Sequence, residues 1–73
     1  MNPNDIIQEV ITLHDISLSD FLGKKRHHEI VVARKEVAKR LRAELNLSLN
    51  DIGRRLNRDH STILYYLKGR NKK

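Results

Sequence analysis

Cysteine and tryptophan are absent from the 73 residues, and Pro, Met and Phe occur once each. Without cysteine, disulfides, thiolate-bound zinc and thiol chemistry are excluded together, and a reducing compartment suits the chain. No apolar run approaches the roughly 20 residues of a bilayer span, and the N-terminus lacks the basic-then-apolar order of a secretion signal. A soluble, cytoplasmic protein is therefore expected, with no membrane partner. A chain of this size buries only about 60% of its unfolded surface, so residues 1–73 have room for one core and one domain. No repeat, low-complexity stretch or interdomain linker interrupts it.

Basic residues are missing from the first 23 positions, which carry four carboxylates, whereas residues 24–73 hold all fifteen Lys and Arg against five carboxylates. A change of sign at one boundary suggests a basic face built by the last fifty residues, and polyanion binding becomes the leading class of function.

Helical spacing runs through the whole chain. In the acidic part, residues 1–23, Asn2 or Asn4 can cap a first helix that opens at Pro3, buries Ile6, Ile7, Val10, Ile11 and Leu13, and stops near Asp15. Ser17 caps a short turn of helix through Leu22, with Phe21 as a core anchor and Gly23 placed to end it in a left-handed conformation. A basic loop, Lys24-Lys25-Arg26-His27-His28, follows. Glu29 to Leu45 reads as the long helix on which the others pack, with Ile30, Ala33, Val37, Ala38, Leu41 and Leu45 on one side and Lys35, Lys39, Arg42 and Glu44 on the other. Arg70-Asn71-Lys72-Lys73 is a basic end with no apolar partner and is expected to fray.

The stretch from Leu47 to Gly69 reads as a helix-turn-helix, its two helices lying within residues 48–68. Ser48 caps a helix whose Leu49, Ile52 and Leu56 share one face, with Asp51 at its third position in a weak capping box. Leu56-Asn57-Arg58 makes the turn, and Asp59 caps a second helix opened by His60, Ser61 and Thr62. Gly53 costs on the order of 1 kcal/mol against Ala inside a helix, which implies a packing reason: without a Cβ, the second helix can approach closely. The second helix is presented end-on, and its first turn offers an acceptor, an imidazole and two hydroxyls able to reach base edges in a major groove.

Other chemistries fit these residues less well. Asp59-His60-Ser61 has the residue types of a hydrolase triad, but consecutive residues at a helix start fan out around the axis and cannot align nucleophile, base and orienter, so no catalytic residue and no enzyme is expected. His27-His28 are loop neighbours with no third ligand nearby, so neither metal nor other cofactor is expected. Of Tyr65 and Tyr66, one can face outward on a helix; Tyr66 is expected in the core, and Tyr65 outside with its hydroxyl near a phosphate.

Three stretches, KKRHHEIVVARKEVAKRL, LSLNDIGRRL and RDHSTIL, together resemble the C-terminal DNA-binding domain of the bacterial replication initiator DnaA. Arg58-Asp59-His60-Ser61-Thr62 is similar to that family's signature Arg-Asp-His-Thr-Thr, with one conservative change. The resemblance implies an all-α fold, a small bundle of about five helices with a Trp-repressor-like helix-turn-helix. It also implies a bacterial or phage-encoded protein that binds a short, asymmetric, A·T-rich duplex box as a monomer, for control of replication initiation or transcription. Carried over by position, it puts a minor-groove arginine at Arg26 and base contacts at Asp59, His60 and Ser61. Chemistry agrees, since Asp can accept from a cytosine amino group and an imidazole or small side chain can lie against a thymine methyl. Phosphate contacts are implied for Arg34 and Lys35, for the backbone around Leu49 and for Thr62; the loop cations Lys24 and Lys25, Arg58 and the Tyr65 hydroxyl complete the expected set.

Departures from the family pattern are Asn50 in place of Pro, Ser61 in place of Thr, Tyr65 in place of His, and His28 where many members have another basic or hydroxyl residue, which makes the loop charge partly pH-dependent. Nothing reads as G-x-x-x-x-G-K-[ST], so ATP-controlled assembly and origin opening are not implied for this chain. Three readings stay open: a free-standing duplex binder, acting on an origin box, in competition with a host initiator or beside host replication proteins; an excised domain of a longer initiator; and a basic module that binds RNA or an acidic protein without sequence choice. An acid at the helix start argues against the last, because it is unfavourable beside phosphates unless it reads a donor. Met1 followed at once by a capped helix favours a complete small protein over an excised domain.

Overall fold

Five helices follow one another along the chain: α1 Pro3–Leu13, α2 Leu18–Leu22, α3 His28–Leu45, α4 Leu49–Leu56 and α5 His60–Lys68. The structure is a computed structural model that describes residues 2–68; Met1, Gly69 and the basic end from Arg70 to Lys73, where fraying is expected, lie outside the described residues. All regular structure among the described residues is helical, in agreement with the all-α bundle.

Of the two candidate caps for α1, Asn2 is the one used. Its side-chain oxygen accepts from the Asp5 amide at 3.0 Å, and the Asp5 carboxylate accepts from the Asn2 amide at 3.3 Å. Pro3 sits in the first turn, where a missing N–H loses no helical bond. Ile6, Ile7, Val10 and Ile11 are buried, but Leu13 is 75% exposed, contrary to its expected place on the stripe. At helical pitch it lies about 90° from the stripe's centre. The helix ends there, the chain reverses through Asp15 in a left-handed conformation (φ 56°), and Ile16 packs on the core instead.

Ser17 caps α2, its hydroxyl accepting from the Asp20 amide at 3.1 Å, and Phe21 is fully buried. Gly23 ends the helix in an extended conformation (φ −83°, ψ −162°), not the left-handed one expected. What requires glycine is close approach, since a Cβ there would stand 2.9 Å from the Ser19 carbonyl oxygen.

The long helix begins one residue earlier than expected, at His28, with His27 in the cap position, so the basic loop proper is residues 24–27. α3 packs against each of the other four helices and buries Ile30, Ala33, Val37, Ala38 and Leu41. Asn46 stops it in a left-handed conformation (φ 53°). On the face toward α1, Arg40 pairs with Glu9 at 2.7 Å and with Glu44 at 2.8 Å, and His14 stands 3.1 Å from Glu36. No helix among the described residues is long and apolar enough to cross a membrane.

Candidate nucleic-acid interface

The helix-turn-helix is built by α4 and α5. Ser48 caps α4, its hydroxyl accepting from the Asp51 amide at 3.2 Å, while Ile52 and Leu56 go into the core and Leu49 stays half-buried. Asn57 ends α4 in a left-handed conformation (φ 55°, ψ 46°). The chain then folds back on α4 so tightly that the Arg58 amide donates to the Gly53 carbonyl at 2.8 Å. A Cβ on Gly53 would lie 2.5 Å from the Arg58 carbonyl oxygen and 3.6 Å from Ile63 of α5. The expected packing reason for this glycine holds, but the turn backbone is the nearer neighbour.

Asp59 opens α5 as its cap. One carboxylate oxygen accepts from the Ser61 amide at 3.1 Å, and its carbonyl accepts from the amides of Thr62 and Ile63 at 3.0 and 3.2 Å. The bonds from Ser61, and to a smaller extent the neighbouring His60, hold the Asp59 carboxyl below the usual carboxylate range. The other carboxylate oxygen stands 3.6 Å from Nδ1 of His60. Asp59, His60 and Ser61 are all exposed, Thr62 is half-buried, and Ile63 and Tyr66 anchor the opposite face in the core. Tyr65 turns outward as expected, with the Lys35 ammonium 5.3 Å from its ring centroid. That distance suits a cation–π contact, which holds the two side chains together.

Two clefts flank this first turn. A groove of about 430 Å³ gathers Lys24 and Arg26 from the loop, Val31 and Arg34 from α3, Arg58, and Thr62, Tyr65 and Tyr66 from α5. A second cleft is lined by Asn50, Gly53, Arg54, Asn57, Arg58, Asp59 and His60. The loop arginine, the exposed end of α5 and the outward tyrosine thus converge on one region around Arg58. Arg54, which the sequence reading did not single out, joins them; the readable signal was its place on the face of α4 opposite Ile52 and Leu56.

Three of the expected phosphate ligands are engaged within the protein. Arg34 is only 2% exposed. Its guanidinium donates to four carbonyls: Phe21 through Nε at 2.9 Å, Lys25 through Nη1 at 2.9 Å, and Asp20 and Gly23 through Nη2 at 3.2 and 2.9 Å. Burial, and secondarily the Arg58 guanidinium, lower its pKa. Arg34 therefore staples the loop from within the protein. Arg58 also turns inward, donating to the carbonyls of Asn57 and Gly23. Lys25 faces another cleft, with its ammonium 3.2 Å from the Asp20 carboxylate. His27 and His28 line that same cleft, and no group of three His, Cys, Asp or Glu among the described residues could hold a metal ion.

Comparison with known proteins places this geometry in a family. A family model described as the bacterial DnaA protein helix-turn-helix matches residues 3–69. The chromosomal replication initiator protein DnaA of Thermomicrobium roseum is 39% identical over 66 residues, that of Oleidesulfovibrio alaskensis 36% over 59, and that of Roseiflexus castenholzii 35% over 66. The matches take in 81–89% of this chain but only 13–14% of the initiators, so the chain spans about one seventh of the relatives it matches. No solved structure gives a significant match.

Proposed function

Because the chain belongs to the bacterial DnaA helix-turn-helix family, we propose that it binds double-stranded DNA sequence-specifically, at a short, asymmetric, A·T-rich site of the DnaA-box type. In this reading, residues 1–73 act as one DNA-binding domain, monomeric on its site, in the cytoplasm of a bacterium, and serve the control of replication initiation or of transcription. The observation that carries the reading is the convergence of Asp59 and His60, at the exposed start of α5, with Lys24, Arg26, Thr62 and Tyr65 around Arg58.

In this reading the first turn of α5 enters the major groove. Asp59 accepts from a cytosine amino group, His60 and Ser61 lie against thymine methyls, and Arg26 reaches the adjacent minor groove, where A·T-rich sequence is narrow and electronegative. Lys24, Lys35, Thr62, the Tyr65 hydroxyl and the start of α4 at Leu49 hold phosphates, and exposed Arg54 is added to them. The chemistry asked of the site is recognition alone, with no catalytic residue. ATP-driven steps of a whole initiator are not assigned to so small a share of it. RNA or an acidic protein is the weaker partner, because the carboxylate at the tip of the basic face would repel either unless it met a donor.

Titration of a fluorescent box-type duplex, and of a scrambled duplex of the same composition, over a range of salt tests this reading. Expected are a preference for the box and a fall of log K against log salt of roughly 0.9 per phosphate contacted. A flat plot would remove duplex binding from consideration.

A further inference from the structure

We infer that Arg58 is a positioning residue that sets where the Arg26 loop stands relative to the recognition helix, and that through this link the two grooves are read in register. The inference rests on the DNA reading proposed above. It starts from one acceptor: the Gly23 carbonyl takes a hydrogen bond from the Arg58 guanidinium and another, at 2.9 Å, from Arg34. The Asn57 side-chain amide donates to the neighbouring Leu22 carbonyl at 3.3 Å. Two consecutive residues of the helix-turn-helix turn thus grip two consecutive carbonyls at the root of the basic loop, while Arg34 holds the same stretch from α3.

The lever is short on both sides. Three residues lead from Gly23 to Arg26, a reach of at most about 10 Å, and Arg58 is bonded directly to Asp59, which caps α5. Successive bases on one strand are about 3.4 Å apart, so a slip of the loop by that much would carry Arg26 to the wrong step while α5 stayed in place. The same geometry argues against a direct phosphate role for Arg58. Its guanidinium is half-buried and already engaged, with Nη1 on the Asn57 carbonyl at 2.8 Å and Nη2 on Gly23.

A double-mutant cycle with Arg26→Ala and Arg58→Ala on the box duplex, and on one with G·C pairs in the minor-groove segment, tests the inference. Arg58→Ala should lose the A·T preference that Arg26→Ala loses, and the double variant should bind within about twofold of Arg26→Ala alone. A loss equal to the product of the two single losses would overturn the inference. Amide NMR of the DNA-free protein is a second arm: Arg58→Ala should shift the resonances of Gly23, Lys24 and Arg26 and leave those of α1 in place, whereas an unmoved loop would overturn it. Should Arg58→Ala not fold, Arg58→Lys keeps the charge but lacks the planar fork whose two nitrogens reach the Asn57 and Gly23 carbonyls. It should show the same loss of A·T preference, and full retention would count against the clamp. If the unmodified chain binds no duplex at all, the DNA reading fails, and the NMR arm still decides whether Arg58 places the loop.

Discussion

The Asp59 carboxylate accepts the Ser61 amide at 3.1 Å and so caps the helix it also exposes to a ligand. One side chain thereby carries a structural role and, in the proposed reading, a base-reading role that substitution can separate. Asn caps a helix about as well as Asp but presents a donor as well as an acceptor. Asp59→Asn should keep its Tm at neutral pH yet shift base preference at one position of the site by about five- to a hundredfold. Asp59→Ala should lose both. The pH dependence follows from the lowered carboxyl pKa: stability from the ionised form is fully present above the unfolded value, about 4, and is lost as pH falls through the folded value. Thermal melts of the original and the Asn variant, coincident at neutral pH, should therefore diverge on acidification below about pH 4, the original losing stability that the Asn variant keeps. Parallel curves would contradict the cap.

Arg34 holds four carbonyls from a buried position, so its removal leaves several acceptors without a donor. Arg34→Ala should destabilise the fold by about 3 kcal/mol or more, and Arg34→Lys should recover little, because an ammonium cannot match the planar fork. Chemical denaturation measures both. A lysine variant with the original stability but a shallower salt dependence of DNA binding would instead make Arg34 a phosphate ligand.

Gly53→Ala sets helix propensity against packing. Ala gains about 1 kcal/mol within a helix, but its Cβ would meet the Arg58 carbonyl oxygen at 2.5 Å, and that oxygen belongs to backbone. Forcing the turn outward should cost about 1–3 kcal/mol and weaken DNA binding along with Tm. A more stable variant with full affinity would show that the turn can give way.

Most of the architecture was legible because it rests on periodicity and caps. The stripes of α1, α3 and α4 and the caps at Ser17, Ser48 and Asp59 follow from local rules, and so does Tyr66 facing inward. What escaped depends on tertiary context. Arg34 falls within the very stripe of Ile30, Ala33, Val37, Ala38 and Leu41, a readable sign of burial, but a charge in such a place is acceptable only because the ends of α2 and the loop supply carbonyls from elsewhere in the chain. Arg58 looked like one more surface cation for the same reason. Gly23 suggested a left-handed turn, whereas the left-handed caps of α3 and α4 are Asn46 and Asn57, residues whose side chains tolerate that conformation. At the site, the exposed end of α5 was read from sequence, while the division of the basic residues between outward-facing and inward-facing ones required coordinates.

The most direct measurement of the central claim is selection of bound duplexes from a random pool by the full chain, followed by sequencing. The account predicts enrichment of one short, asymmetric, A·T-rich motif containing a C·G pair whose preference disappears in Asp59→Asn. Recovery of sequences with no common motif, or equal retention of single-stranded and duplex nucleic acid, would contradict it.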